Sequence, residues 1–223
     1  MSIIETTNLQ KQYGSGRESV AALRGLDLSI VAGEFVTIMG ESGSGKSTLL
    51  AVLGGMSQPT SGEITVAGER LYQLHPEKLA DFRAANLGFV FQSFHLVPYL
   101  TALENVLLPL AIVKGKATVK REAALAALAR VGLGGKPERL PNQLSGGEQE
   151  RVAIARAIVN SPKILLADEP TGNLDSRTSE EVMMLFRELN SAGQTVVMVT
   201  HNHENGAYAD RTISLKDGLV VGR

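Results

Sequence analysis

Short apolar runs rich in Val and Ile recur along the chain and predict strands. The clearest are Phe35-Val36-Thr37-Ile38-Met39, Leu87-Gly88-Phe89-Val90-Phe91, Ile164-Leu165-Leu166-Ala167 and Thr195-Val196-Val197-Met198-Val199. Several are apolar at consecutive rather than alternate positions, the pattern of parallel strands covered on both faces. Helical periodicity lies between them. Across Arg177 to Asn190, Val182, Leu185, Phe186 and Leu189 fall at i, i+3, i+4 and i+7, one face of a helix. Asp175 or Ser176 suits the start of that helix and Gly193 sits just past its end. Val119 to Val131 is rich in Ala and Leu and is followed by Gly132, a second helix with a stop signal. Strand and helix alternate toward both ends, whereas the middle of the chain reads as mainly helical. This order predicts an α/β core, approximately residues 1–92 and 161–223, with a helical subdomain of approximately residues 93–160 inserted in it.

A chain of 223 residues is long enough for one sizeable domain or two joined subdomains with a real core. Its net charge of -1 gives no overall electrostatic case for nucleic acid or an anionic membrane surface. The absence of cysteine removes disulfides, thiolate metal sites and cysteine nucleophiles together, and fits a reducing compartment. No run approaches the roughly 18 apolar residues of a membrane span. The longest, Val106 to Val113, is interrupted by Pro109. Met1 to Glu5 lacks the basic-then-apolar order of a signal peptide, so the expectation is a chain that remains in the cytoplasm.

Candidate chemistry begins at Gly40-Glu41-Ser42-Gly43-Ser44-Gly45-Lys46-Ser47, which fits G-x-x-x-x-G-K-[ST] and follows the strand ending at Met39. Ser47 to Leu53 then reads as a helix. Glycines let the backbone turn tightly, so that successive N–H groups face phosphate oxygens, and the helix start adds partial positive charge. Lys46 supplies a cation for the outer phosphates and Ser47 a hydroxyl for magnesium. The candidate contacts are Gly40, Ser42, Gly43, Ser44, Gly45, Lys46, Ser47 and Thr48, and the ligand is a nucleoside triphosphate.

The apolar strand Ile164 to Ala167 leads into two carboxylates, Asp168 and Glu169. An Asp at such a strand end holds magnesium in P-loop enzymes. Strand alternation would aim the two side chains differently, leaving Asp168 for the metal and Glu169 to orient or deprotonate water. His201 follows the strand Thr195 to Val199, where an imidazole is either structural or within reach of a γ-phosphate. A metal site from His201, His203 and Glu204 has poor ligand spacing and no evident fourth ligand.

Leu144-Ser145-Gly146-Gly147-Glu148 precedes a further helix, so Ser145, Gly146 and Gly147 form a second anion-binding helix start, separate from the first. Two such surfaces on one chain make sense if they meet across a dimer. With these motifs the sequence resembles the ABC ATPase family along its length, LSGGE corresponding to the family signature whose usual last residue is Gln. The resemblance implies a P-loop ABC ATPase core, with a parallel sheet and an antiparallel β subdomain, carrying the inserted helices. It also implies ATP and Mg2+ as ligands. Tyr13 matches the aromatic that stacks on adenine. Gln92 matches the glutamine at the junction of core and helices, which senses metal and water. Gly172-Asn173-Leu174-Asp175 matches the loop by which two sites communicate, and His201 matches the switch histidine. Family members form a head-to-tail dimer with two ATPs between one subunit's Lys46-type loop and the other's Ser145-type loop. Asn202 departs from the Asp that commonly follows the switch histidine.

Phe91-Gln92-Ser93-Phe94-His95-Leu96-Val97-Pro98, the following Leu100 to Val106, and Asp168 to Asp175 resemble the bacterial branch serving lipoprotein release, macrolide efflux, and haem or antimicrobial-peptide export. That branch implies a separate membrane permease with a large extracytoplasmic domain, and a place for this chain at the cytoplasmic face of the inner membrane. Phe94 to Tyr99 is expected to help form the groove for the permease's cytoplasmic helix, the alternative being a packed loop. The rival reading is a soluble ABC ATPase with a regulatory role. The single cassette argues against a translation-linked protein, and the lack of a long heptad insertion argues against a chromosome or DNA-repair ATPase.

Overall fold

The structure, a computed structural model, describes residues 1–16 and 19–222. The chain opens with two long antiparallel strands, β1 (Ser2–Tyr13) and β2 (Val20–Val31), followed by β3 (Phe35–Met39) and α1 (Lys46–Leu53). β4 (Ser61–Val66) and β5 (Glu69–Arg70) come next, then α2 (Pro76–Asn86) and β6 (Leu87–Phe91). The middle of the chain is helical, with α3 (Ala102–Leu107), α4 (Ala117–Arg130) and α5 (Gly146–Ile158) packed on one another. The last part comprises β7 (Ile164–Asp168), α6 (Ser176–Ser191), β8 (Thr195–Thr200), the short α7 (His203–Gly206), β9 (Arg211–Lys216) and β10 (Leu219–Gly222).

Two sheets result. One has the order β10-β9-β3-β8-β7-β6, parallel except for β10 at its edge; the other is antiparallel with the order β2-β1-β4-β5. The consecutive apolar runs form the centre of the larger sheet because both of its faces are covered: β3 and β8 are buried at every position. Side-chain alternation sends Leu165, Ala167, Val196 and Met198 into one core with the helices α3–α6. Ile164, Leu166, Val197 and Val199 go into the other, with α1 and the antiparallel sheet.

The fold class is the one the sequence leads to, and the caps fall where its polar residues stand. Asp175, not Ser176, caps α6, its side chain accepting from Thr178 N–H. Gly193 follows that helix at φ +95, the left-handed position glycine occupies most readily. The strands β1 and β2 have no counterpart among the apolar runs. β1 carries register shifts around Thr6, Leu9 and Gln10 that break its two-residue alternation. In β2 the signal was present: Leu26, Leu28 and Ile30 alternate inward between exposed Asp27 and Ser29.

Asn105 of α3 fixes the segment that leads from β6 into the helices. Its side chain is fully buried, accepts from Val97 N–H at 2.8 Å and donates toward the carbonyls of Leu100 and Thr101 at 2.9 and 3.0 Å. Asn105→Ala leaves these backbone groups unpaired and is expected to lower stability by about 2–3 kcal/mol, read from the midpoint of urea unfolding at unchanged m-value.

Candidate active site

The glycine-rich loop joins the C-terminal end of β3 to α1 and lies pressed against its neighbours. A Cβ on Gly40 would stand 2.2 Å from the Leu215 carbonyl oxygen, and one on Gly45 2.4 Å from that of Ala22. Gly45 also takes φ +101 as the residue before α1. Lys46, the first residue of α1, is 7% exposed, and its Nζ donates to the carbonyls of Gly40 and Glu41 at 2.7 and 2.9 Å. The ammonium is thereby held over its own loop. Ser44 Oγ is buried there without a hydrogen-bond partner among the described residues.

Across the cleft stand the carboxylates. Ser47 Oγ donates to Asp168 Oδ1 at 3.1 Å, joining residues 121 positions apart. Burial pushes the Asp168 carboxyl above the usual range, against the Ser47 hydrogen bond, and neighbouring Glu169 pushes it the same way. β7 ends at Asp168, and Glu169 takes φ +48, its N–H donating to Val199 O at 2.9 Å. The two carboxylates therefore diverge because the backbone turns left-handed at Glu169, and not through strand alternation as the sequence suggests. Glu169 Oε1 lies 2.9 Å from His201 Nδ1, and Glu169 Oε2 accepts from Thr200 Oγ1 at 3.0 Å. Among the described residues, His201, His203 and Glu204 do not gather as a three-ligand metal cluster.

An open cleft of about 1090 Å³ brings together Tyr13, Gly40, Ser42, Gly43, Gly45, Lys46, Ser47, Thr48, Gln92, Glu169 and His201. Ser44 lies under the loop, and Asp168 reaches the group through Ser47. Tyr13 stands at the mouth, 45% exposed, with Lys11 Nζ 4.8 Å from its ring centroid. Lys11 escaped the sequence reading, although two-residue spacing on one strand places it on the face of Tyr13. Gln92 follows β6 and lies against the Gly172 segment: a Cβ on Gly172 would come within 2.7 Å of Gln92 Nε2, and Asn173 Nδ2 donates to Gln92 O at 2.8 Å.

Ser145, Gly146 and Gly147 are not in this cleft. Ser145 is exposed and caps α5, accepting from Glu148 N–H at 3.3 Å while its own N–H donates to Glu148 Oε2 at 3.0 Å. Gly147 packs tightly on Thr178, where a Cβ would stand 2.2 Å from Cγ2. Glu148 thus completes a reciprocal cap. Lys136 donates to its other oxygen, and this bond, followed by the Ser145 N–H, holds the carboxyl below its ordinary range.

Beyond Gln92, Phe94 and His95 take φ values of +58 and +49, and their carbonyls accept from Arg156 Nη2 and Nη1. The guanidinium of α5 therefore clamps a turn of two non-glycine residues in the left-handed region. A groove of about 480 Å³ beside it is lined by Leu87, Phe89, Phe91, His95, Pro109 and Ile112, among others. Of the segment Phe94 to Tyr99, Leu96 packs against the core, His95 lies on this groove, and Val97 and Tyr99 are exposed.

Residues 23–172 match the family model described as ABC transporter. The chain belongs to the ABC transporter family. The lipoprotein-releasing system ATP-binding protein LolD of Geobacter metallireducens is 49% identical to this ABC cassette over 99% of the chain and 98% of its own length. The macrolide export ATP-binding/permease protein MacB of Rhodopirellula baltica is 50% identical over 98% of the chain. The cassette spans about a third of that relative's length (32%). The dimeric structure of the bacterial ABC transporter cassette MJ0796 superposes with a TM-score of 0.89 at 46% identity, covering 98% of this chain and 97% of the other. Another dimeric structure of MJ0796, in a post-hydrolysis state bound to ADP and Pi, gives 0.89 at 45% identity over the same shares. Among the described residues of the cassette, no helix is long and apolar enough to cross a membrane.

Proposed function

We propose that this chain is the ATP-hydrolysing subunit of an ABC transporter, acting as a head-to-tail dimer on a separate membrane permease at the cytoplasmic face of the inner membrane. The observation that carries this reading is the assembly of Lys46, Ser47, Glu169 and His201 around one cleft, with the Ser145 helix start on a different surface of the same chain. A site with its own phosphate cradle and a second, distant anion-binding end is complete only when a second copy supplies that end.

The roles we assign join this geometry to what the family resemblance implies. Backbone N–H groups from Gly40 to Gly45 and the Lys46 ammonium bind the phosphates of ATP, and Tyr13 stacks on its base. Ser47 and Asp168, already 3.1 Å apart, with Gln92 beside them, are the residues that would hold Mg2+. An ion held there would supply positive charge against the negative charge of the phosphates. Glu169 orients the attacking water and takes its proton, and His201 steadies Glu169 and reaches the γ-phosphate. Ser145, Gly146 and Gly147 of the partner copy close over that phosphate. Loss of the shared phosphate on hydrolysis removes the contact and reopens the dimer. We read residues 1–92 and 161–223 as the core and 93–160 as the helical subdomain that carries the Ser145 end.

The LolD and MacB likenesses support a role in lipoprotein release or export. The groove beside His95 suits a permease helix. Ile112, 74% exposed on that groove, is well away from the nucleotide cleft. Ile112→Glu is expected to abolish permease-dependent activity and leave ATP turnover of the chain alone unchanged.

The direct test is to tag the chain, purify it from detergent-solubilised native membranes, identify what accompanies it by mass spectrometry and assay phosphate release from MgATP. A permease with a large extracytoplasmic domain, together with ATP turnover, supports the proposal. A chain recovered only in the soluble fraction without such a partner overturns its transport half, and absence of turnover in the isolated complex overturns the rest.

A further inference from the structure

The two oxygens of Glu169 have different surroundings. Oε1 faces His201 at the cleft, whereas Oε2 accepts from the hydroxyl of Thr200, the fully buried last residue of β8. A threonine hydroxyl has one proton and two lone pairs. Here two N–H donors approach its oxygen: the backbone N–H of Asn202 at 3.0 Å and Nδ2 of Asn205 at 3.3 Å. With both lone pairs taken, the single proton is left for Glu169 Oε2, and the hydroxyl is a donor in one fixed direction.

Asn205 is in turn held from its far side. It comes from α7, is 2% exposed, and gives its other amide proton to Thr171 Oγ1 at 2.9 Å. Thr171, also buried, belongs to the segment immediately after Glu169 and Pro170. The chain of hydrogen bonds therefore runs from the Glu169 segment through Thr171, Asn205 and Thr200 back to the Glu169 carboxylate. It closes a ring around the residue whose orientation matters most.

We propose that Thr200 and Asn205 are positioning residues for Glu169, tying down Oε2 so that Oε1 alone is presented to the cleft. The terminal torsion of a glutamate side chain is broad and has no strong intrinsic preference. Without the tie, the carboxylate keeps its contact with His201 at Oε1 but can turn about it, and misplacement of a reacting group by about 1 Å costs up to about 10²-fold in rate. This inference rests on the reading of Glu169 as the residue that orients and deprotonates water.

The experiment measures kcat and KM for MgATP hydrolysis separately in the full chain and in Thr200→Val, Thr200→Ser and Asn205→Leu, with Glu169→Gln alongside. Thr200→Val fills nearly the same volume without the hydroxyl. It is expected to lower kcat about 10-fold with KM within about 2-fold of the parent, and Thr200→Ser to restore most of the rate. Asn205→Leu frees the hydroxyl to turn and is expected to give a smaller loss, also in kcat. The double variant Thr200→Val/Asn205→Leu is expected to be no slower than Thr200→Val, because both act through one bond.

A parent-like kcat in Thr200→Val while Glu169→Gln is inactive overturns the positioning role and leaves the reading of Glu169 standing. Normal turnover by Glu169→Gln overturns that reading, and this inference with it. A parallel loss in kcat and affinity that Thr200→Ser does not rescue marks general disruption and also overturns the proposal. If Thr200→Val does not fold, Asn205→Leu decides alone, and a parent-like kcat there is fatal.

Discussion

Glu169→Gln is expected to give a chain that binds ATP, closes into a stalled dimer and turns over at least about 10²-fold more slowly than the parent. The substitution is nearly isosteric, so the left-handed backbone at φ +48 and the N–H bond to Val199 O remain. A Gln side-chain oxygen still accepts from Thr200, and its amide faces His201. What disappears is the capacity to take a proton from water. ATP that is bound and not consumed keeps the two copies together, so assembly and turnover part company in this variant. Size-exclusion chromatography with MgATP and a phosphate-release assay read the two quantities separately. Normal turnover would remove Glu169 from its proposed role.

Lys46→Ala is expected to weaken ATP binding by about 10²-fold, a loss on the scale of one or two charge-assisted hydrogen bonds. Among the described residues, the buried ammonium donates its hydrogen bonds to two neutral carbonyls of its own loop, so it keeps a preference for an arriving anion. Alanine removes that cation and leaves the Gly40 and Glu41 carbonyls without its protons, so stability should fall by about 1–2 kcal/mol as well. Nucleotide titration checks the first effect and urea unfolding the second. Unchanged affinity with unchanged stability would mean that the loop is not the phosphate site. The two variants fail at different stages: one never holds ATP, and the other holds it and cannot use it.

Much of the machinery was legible because its chemistry is local. The eight residues from Gly40 to Ser47 contain every backbone turn, N–H group and cation that a phosphate cradle needs, so their spacing alone identifies it. The cap of α6 is likewise a short-range hydrogen bond, which the sequence narrowed to Asp175 or Ser176. The central strands β3, β7 and β8 announced themselves because burial on both faces demands unbroken apolar runs. Where the requirement was weaker, the signal failed. The alternation in β1 is interrupted by its bulges, so a strand of 12 residues left almost no period to read.

The same distinction explains the site residues that the sequence did not supply. Thr200 and Asn205 are ordinary polar residues in the chain, and become significant only because folding buries them in a ring with Thr171 and Glu169. A buried polar group must find partners, and those partners are set by packing rather than by spacing. Within the apolar segment after Gln92, Leu96 packs against the core while His95 lies on the groove, a division set by packing.

By itself the sequence determined the strand–loop–helix pattern, the acidic strand end and the α/β class, since each depends on residues within a few positions of one another. Only the tertiary structure decided that these pieces meet. The strand order places β8 between β3 and β7, so the loops leaving these parallel strands gather at one sheet edge and Ser47 reaches Asp168. It also placed Ser145 on the exposed start of α5, outside the cleft of its own chain. Strand order and helix placement are fixed by how two cores close over the faces of one sheet, a property of all the packed side chains together that no single stretch of sequence carries.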